Sequence, residues 1–104
     1  TGGITVSHKI GALAYTGGLP VTMHDCTGPF TLLAGVHLAL AAPNARYQET
    51  VRAYIRTWYR DVVAHSVVIE DGAILPPTEP GIGTHLLDDV CRRPDATVQV
   101  SKLS

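Results

Sequence analysis

Five histidines, nine acidic residues and two cysteines are the side chains with which this 104-residue chain could move protons or hold a metal. Histidine-based metal sites need ligands gathered by spacing, such as two histidines at i, i+4 on one helix face or a Cys/His cluster of zinc type. His8, His24, His37, His65 and His85 show neither pattern. Cys26 and Cys91 stand far apart and read as ordinary thiols. His37 lies inside an apolar run and reads as a packing residue, while His8, His65 and His85 read as surface groups. His24 differs by position, because it closes the β-branched run Val21-Thr22-Met23 just before a loop that opens a helix. Glu49 closes the next extended run in the same way. Parallel neighbours lie about 4.8 Å apart, so two side chains leaving adjacent strand ends would face one small substrate. An imidazole with a pKa near ~6.5 takes a proton at neutral pH, and a carboxyl can donate one or stabilise an oxyanion. The competing reading is a loop histidine and a helix-start glutamate.

The elements that would position this pair follow from periodicity. Thr5 can cap a helix in which Val6, Ile10, Leu13 and Ala14 share a face, and Gly17-Gly18 supplies its left-handed stop. Residues 21–24 read as a short buried strand. Pro29 suits the first turn of a helix over 30–42, with Thr27 or Gly28 as cap. That helix is apolar nearly all the way round, which predicts packing on more than one side. Pro43-Asn44 ends it, and residues 45–49 read as a second strand. Helix, strand, helix, strand with short connections predicts βα units and a parallel sheet, which needs cover on both faces and further strands.

From Thr50 the pattern changes. Val51, Tyr54, Ile55, Trp58 and Tyr59 recur at helical spacing, with Arg52, Arg56 and Arg60 on another side as a solvated stripe. Asp71-Gly72 predicts a hairpin between 67–69 and 73–75. Residues 76–83 are stiff and irregular, and 86–90 read as one or two helical turns. Gly81-Ile82-Gly83 lacks the preceding buried strand and following long helix that dinucleotide binding requires.

Composition narrows the class. Hydrophobic residues make up 45% and charged residues 16%, against a usual charged share of about 25%, so the chain should be globular. A formal charge of -1 offers no basic field for a nucleic-acid backbone or an anionic membrane. The longest apolar stretch, 32–42, is far below the ~18 residues of a membrane span. A soluble protein of a reducing, cytoplasmic compartment is expected. The start on Thr1, without methionine or targeting pattern, suggests a missing upstream region.

Several ordered motifs carry a resemblance over nearly the whole chain. They are Gly2-Gly3-Ile4-Thr5, then Leu19-Pro20-Val21-Thr22-Met23-His24-Asp25-Cys26-Thr27-Gly28-Pro29, then Gln48-Glu49-Thr50, and finally Glu70-Asp71-Gly72 with Pro80-Gly81-Ile82-Gly83. Together they resemble the C-terminal part of the enolase superfamily, in its mandelate racemase/muconate lactonizing enzyme subgroup, which includes many acid-sugar dehydratases. The resemblance implies an α/β fold, the C-terminal fragment of a modified TIM (β/α) barrel plus the C-terminal segment of a capping domain. Residues 1–50 would hold the last βα units, with His24 ending the seventh strand and Glu49 the eighth. Residues 51–104 would return to the cap.

The resemblance also implies chemistry. A magnesium ion holds the substrate carboxylate, a base removes the α-proton and the metal stabilises the enediolate. His24 would be that base, returning the proton to a departing β-hydroxyl in a dehydratase. Glu49 would hydrogen-bond the substrate carboxylate. The family's acidic metal ligands have no counterpart here, its lysine-containing motif is absent because Lys9 and Lys102 are the only lysines, and the aspartate that orients the histidine would lie upstream of Thr1. Asp25, next to His24 on an extended chain, points to the opposite face and is not that partner.

The expected function is therefore part of a magnesium-dependent enzyme that dehydrates a sugar acid. Racemisation, epimerisation or cycloisomerisation by the same proton abstraction is the alternative. The 104 residues alone are expected to be inactive, and a catalytically silent fragment or a stand-alone binding module are the competing classes. The rest of the barrel, or further copies in a homo-oligomer, are the expected partners beside the small-molecule carboxylate.

Overall fold

The computed structural model describes residues 2–102. Helix α1 spans Gly3–Thr16. Its start lies ahead of the expected cap: Gly2 and Gly3 adopt positive φ (81° and 87°), a turn open to glycine, and place Thr5 inside the helix. Its end is as expected. The Gly17 N–H donates to Leu13 and Ala14 carbonyls, the Leu19 N–H donates to Ala14 (2.9 Å), and Gly18 has φ 68°, closing the helix through a left-handed residue.

Strand β1 (Val21–Met23) and strand β2 (Ala45–Gln48) form a parallel pair, with Thr22 opposite Tyr47 and Met23 opposite Gln48. Helix α2 (Pro29–Ala41), with Pro29 in its first turn, crosses between them. The expected βαβ unit is present, with each strand ending one residue earlier than the sequence suggested. Asn44 ties α1 to this unit, its Nδ2 donating to the carbonyls of Gly11 (3.3 Å) and Leu19 (2.8 Å).

The core sits on the other flank of α2. Leu32 and Val36 pack with Ile55 and Tyr59, and Val67 and Ile74 close over them. Leu33 is also buried, and Gly35 lies against the Gln48 amide. Helix α2 is therefore packed on several sides, as its all-round apolar sequence requires.

The single helix expected after Thr50 is corrected. Helix α3 covers only Arg52–Arg56, Thr57 leaves helical geometry at φ -120°, ψ -111°, and a 3-10 turn follows over Trp58–Asp61. The Thr57 hydroxyl bonds back to the Ala53 carbonyl (2.8 Å), a local bond that competes with helix continuation. Arg52, Arg56 and Arg60 are exposed, although the break separates Arg60 from the other two.

Strands β3 (Ile69–Glu70) and β4 (Ala73–Ile74) form the expected antiparallel hairpin. Asp71 (φ 48°) and Gly72 (φ 81°) make its two-residue turn. The helix expected over 86–90 is also corrected. Leu86 instead bridges Val63 in antiparallel fashion, the Ala64 N–H donates to His85 and the Leu87 N–H to Val62, and only Val90–Arg92 forms a 3-10 turn. Cross-chain backbone pairing here wins over a weak local helical pattern. Among the described residues, no helix is long and apolar enough to cross a membrane.

Candidate active site at the strand ends

Pairing of β1 with β2 decides where the two candidate groups meet. The Glu49 N–H donates to the Met23 carbonyl (2.8 Å), and Gln48 Nε2 donates to the Glu49 carbonyl (2.8 Å). Glu49 is thereby held one residue beyond β2, level with His24 one residue beyond β1. His24 Nε2 lies 3.8 Å from Glu49 Oε2, and the side chains are 59% and 61% exposed. The separation exceeds a hydrogen bond and lies within ion-pair reach if the imidazole is protonated. Both groups stay open to a ligand.

Asp25 faces away from this pair and is 1% exposed. Its Oδ1 accepts the N–H groups of Thr27 (3.1 Å) and Gly28 (3.2 Å), an Asx-type turn that leads into α2. Its Oδ2 accepts the Tyr59 hydroxyl at 2.6 Å. Asp25 is not the histidine's partner, as the strand alternation argued. Tyr59 is 0% exposed, and burial, then the bond to Asp25, push its hydroxyl above the ordinary tyrosine range. Sequence reading missed this pair. The Asp-x-Thr-Gly-Pro run signals the turn, but nothing local signals a tyrosine 34 residues on.

The remaining candidates take the minor roles expected of them. His37 Nε2 meets the Ile82 carbonyl (3.1 Å), tying α2 to the Pro/Gly segment. His8, His65 and His85 are exposed, and the His65 and His85 rings lie edge to face at 6.1 Å. Cys26 and Cys91 are free thiols. An open groove of about 860 Å³ runs from His24 and Thr27 along β1, between Ile4 and Ile10 of α1 and Phe30 and Leu38 of α2. Its walls are mostly apolar, with His24 at one end. Among the described residues, no group of three or more His, Cys, Asp or Glu side chains could hold a metal ion. The residues present do not fit a magnesium site.

Comparison with known proteins gives this geometry its family. The chain is 33% identical over 85 residues to the D-xylonate dehydratase of Haloferax volcanii, covering 82% of this chain and 20% of that protein. An enolase protein from the Sargasso Sea environmental genome matches with TM-score 0.82 and 48% identity, over 94% of this chain and 26% of its own. A structure from Burkholderia xenovorans LB400, described as a candidate L-alanine-DL-glutamate epimerase and bound to magnesium and fumarate, matches with TM-score 0.72 and 26% identity, over 84% of this chain and 21% of its own. The chain thus spans about a fifth to a quarter of the relatives it matches, and its α/β fold is a fragment of their TIM barrel. Residues 1–90 match the family model for the enolase C-terminal domain-like fold, and the chain belongs to that family.

Proposed function

We propose that the complete protein carrying this chain abstracts the proton α to the carboxylate of a sugar acid and eliminates water from it. The observation that carries the proposal is the meeting of His24 Nε2 and Glu49 Oε2 at 3.8 Å across two parallel strand ends. In the neutral form His24 Nε2 accepts the α-proton. The electron pair of the broken C–H bond forms the C=C bond, and the β C–O bond breaks. The proton held on His24 leaves with the hydroxyl as water, and the resulting enol tautomerises to a 2-keto acid. Glu49, when protonated, donates a hydrogen bond to the substrate carboxylate as its charge grows.

The enolase superfamily is generally magnesium-dependent, and the metal in such enzymes stabilises the charge left by proton removal. No residue of this chain is assigned to it. In this reading residues 1–50 carry the last two βα units, residues 51–104 return towards a capping domain, and the rest of a barrel completes the pocket.

Likeness to a xylonate dehydratase supports elimination, while likeness to the epimerase candidate supports a second reading, proton exchange with inversion. Incubating the complete protein with magnesium and a panel of aldonic and aldaric acids distinguishes them. Formation of a 2-keto acid, abolished in His24→Asn, is the expected result. Solvent deuterium entering the α-position with inversion and no keto acid would establish the second reading instead. Neither product from any acid would sink both.

A further inference from the structure

We infer that Tyr59 is a positioning residue for His24, acting through Asp25. The inference rests on the reading of His24 as the base. His24 is open to solvent, so its aim depends on the backbone that carries it. Its peptide neighbour Asp25 is fixed at both carboxylate oxygens: Oδ1 by the Thr27 and Gly28 N–H groups and Oδ2 by the Tyr59 hydroxyl at 2.6 Å. Asp25 is buried and held at both oxygens while the adjoining His24 is exposed beside Glu49, so fixing Asp25 fixes the backbone that carries His24. The Trp58 ring lies near Gly28 of the same loop, 4.0 Å from where a Cβ there would sit. Tyr59 thus ties the loop 25–28 to a segment that contributes no atom to the His24–Glu49 pair.

The Asx-type turn accounts for an oxygen acceptor at position 25 through Oδ1 alone, and leaves the bond from Tyr59 to Oδ2 unexplained. What the Asp25–Tyr59 bond adds is direction, one fixed length between the start of α2 and the 3-10 turn.

The test uses the complete magnesium-loaded enzyme at a temperature well below each variant's Tm. Tyr59→Phe is expected to lower kcat roughly tenfold to a hundredfold, as for a displaced catalytic group, with KM within about twofold. Asp25→Asn keeps an acceptor for the two N–H groups and a polar partner for Tyr59, and should retain about a third of kcat or more. Asp25→Ser can keep the local turn but cannot reach Tyr59, and should match Tyr59→Phe. If Tyr59→Phe does not fold, the Ser and Asn variants decide the matter by themselves. Full kcat in Tyr59→Phe or Asp25→Ser, with only a lowered Tm, would overturn the inference. His24→Asn separates the two levels. If it keeps full activity, the reading of His24 as base fails whatever Tyr59 does. If it is inactive while Tyr59→Phe is fully active, only the positioning role fails.

Discussion

Tyr59 ionises with more difficulty than an ordinary tyrosine, because it is buried and its hydroxyl donates to Asp25. A pKa raised in the folded state stabilises the fold fully below the unfolded value, near ~10, and that stabilisation is lost as pH rises towards the folded value. We therefore expect denaturant stability to fall from about pH 10 upward, and to fall less steeply in Tyr59→Phe. Parallel slopes for the two proteins would show that the hydroxyl is not held as the structure places it. Glu49 makes a separate prediction. Glu49→Gln keeps a hydrogen-bond donor and should lower kcat of the complete enzyme about tenfold, whereas Glu49→Ala should lower it by roughly 10²–10³, the scale of a lost oxyanion donor. Steady-state kinetics of both variants checks this. The meeting of His24 and Glu49 was legible because the two extended runs leading to them are bounded by turn and helix-start residues, although each strand stops one residue short of them. The Asp25–Tyr59 bond was not, since its partners lie 34 residues apart and meet only when the segment after Thr57 folds back on α2.

At the scale of elements, local propensity was a sound guide wherever a strong turn or cap residue acted. Gly17-Gly18, Pro29, Pro43 and Asp71-Gly72 all bound elements as expected. It failed where tertiary bonds competed with a weak pattern, at Thr57 and at residues 86–90. The Pro/Gly segment is a place where shape is demanded rather than helix or strand. Gly83 has φ 93°, and a Cβ there would collide with the Pro77 ring. Gly83→Ala should destabilise the protein by about 1–3 kcal/mol, the usual cost of a side chain in such a conformation. Thermal denaturation of the variant measures this, and an unchanged Tm would mean the segment rearranges freely. His37, bonded to the Ile82 carbonyl, would then be expected to lose its partner.

The whole molecule is broad and thin, with extents of 47 × 44 × 23 Å and a radius of gyration of 15.2 Å. A compact domain of about 100 residues has a radius near ~13 Å. Ile4, Val6, Ile10 and Leu13 of α1 are all exposed, Leu13 by 76%, and among the described residues β1 has an unpaired edge, lining the groove beneath them. Apolar surface of this extent calls for a neighbour. Residues 1–104 expressed by themselves are expected to bind a hydrophobic dye or self-associate, to turn over nothing and to give no tight magnesium isotherm. A well-dispersed NMR spectrum of a monomer, or a stoichiometric magnesium site by calorimetry, would contradict this.

Taken alone, the sequence determined the βαβ unit, the hairpin and the placing of His24 and Glu49 at neighbouring strand ends. These depend on periodicity, turn residues and strand spacing, all of which act over a few residues. Tertiary structure decided what surrounds them: the break at Thr57 that brings Tyr59 onto Asp25, the pairing of Val63 with Leu86, and the one-sided core that leaves α1 uncovered. Each of those is a competition between a local bond and a contact made across the chain, and its outcome depends on three-dimensional proximity that spacing along the sequence does not encode.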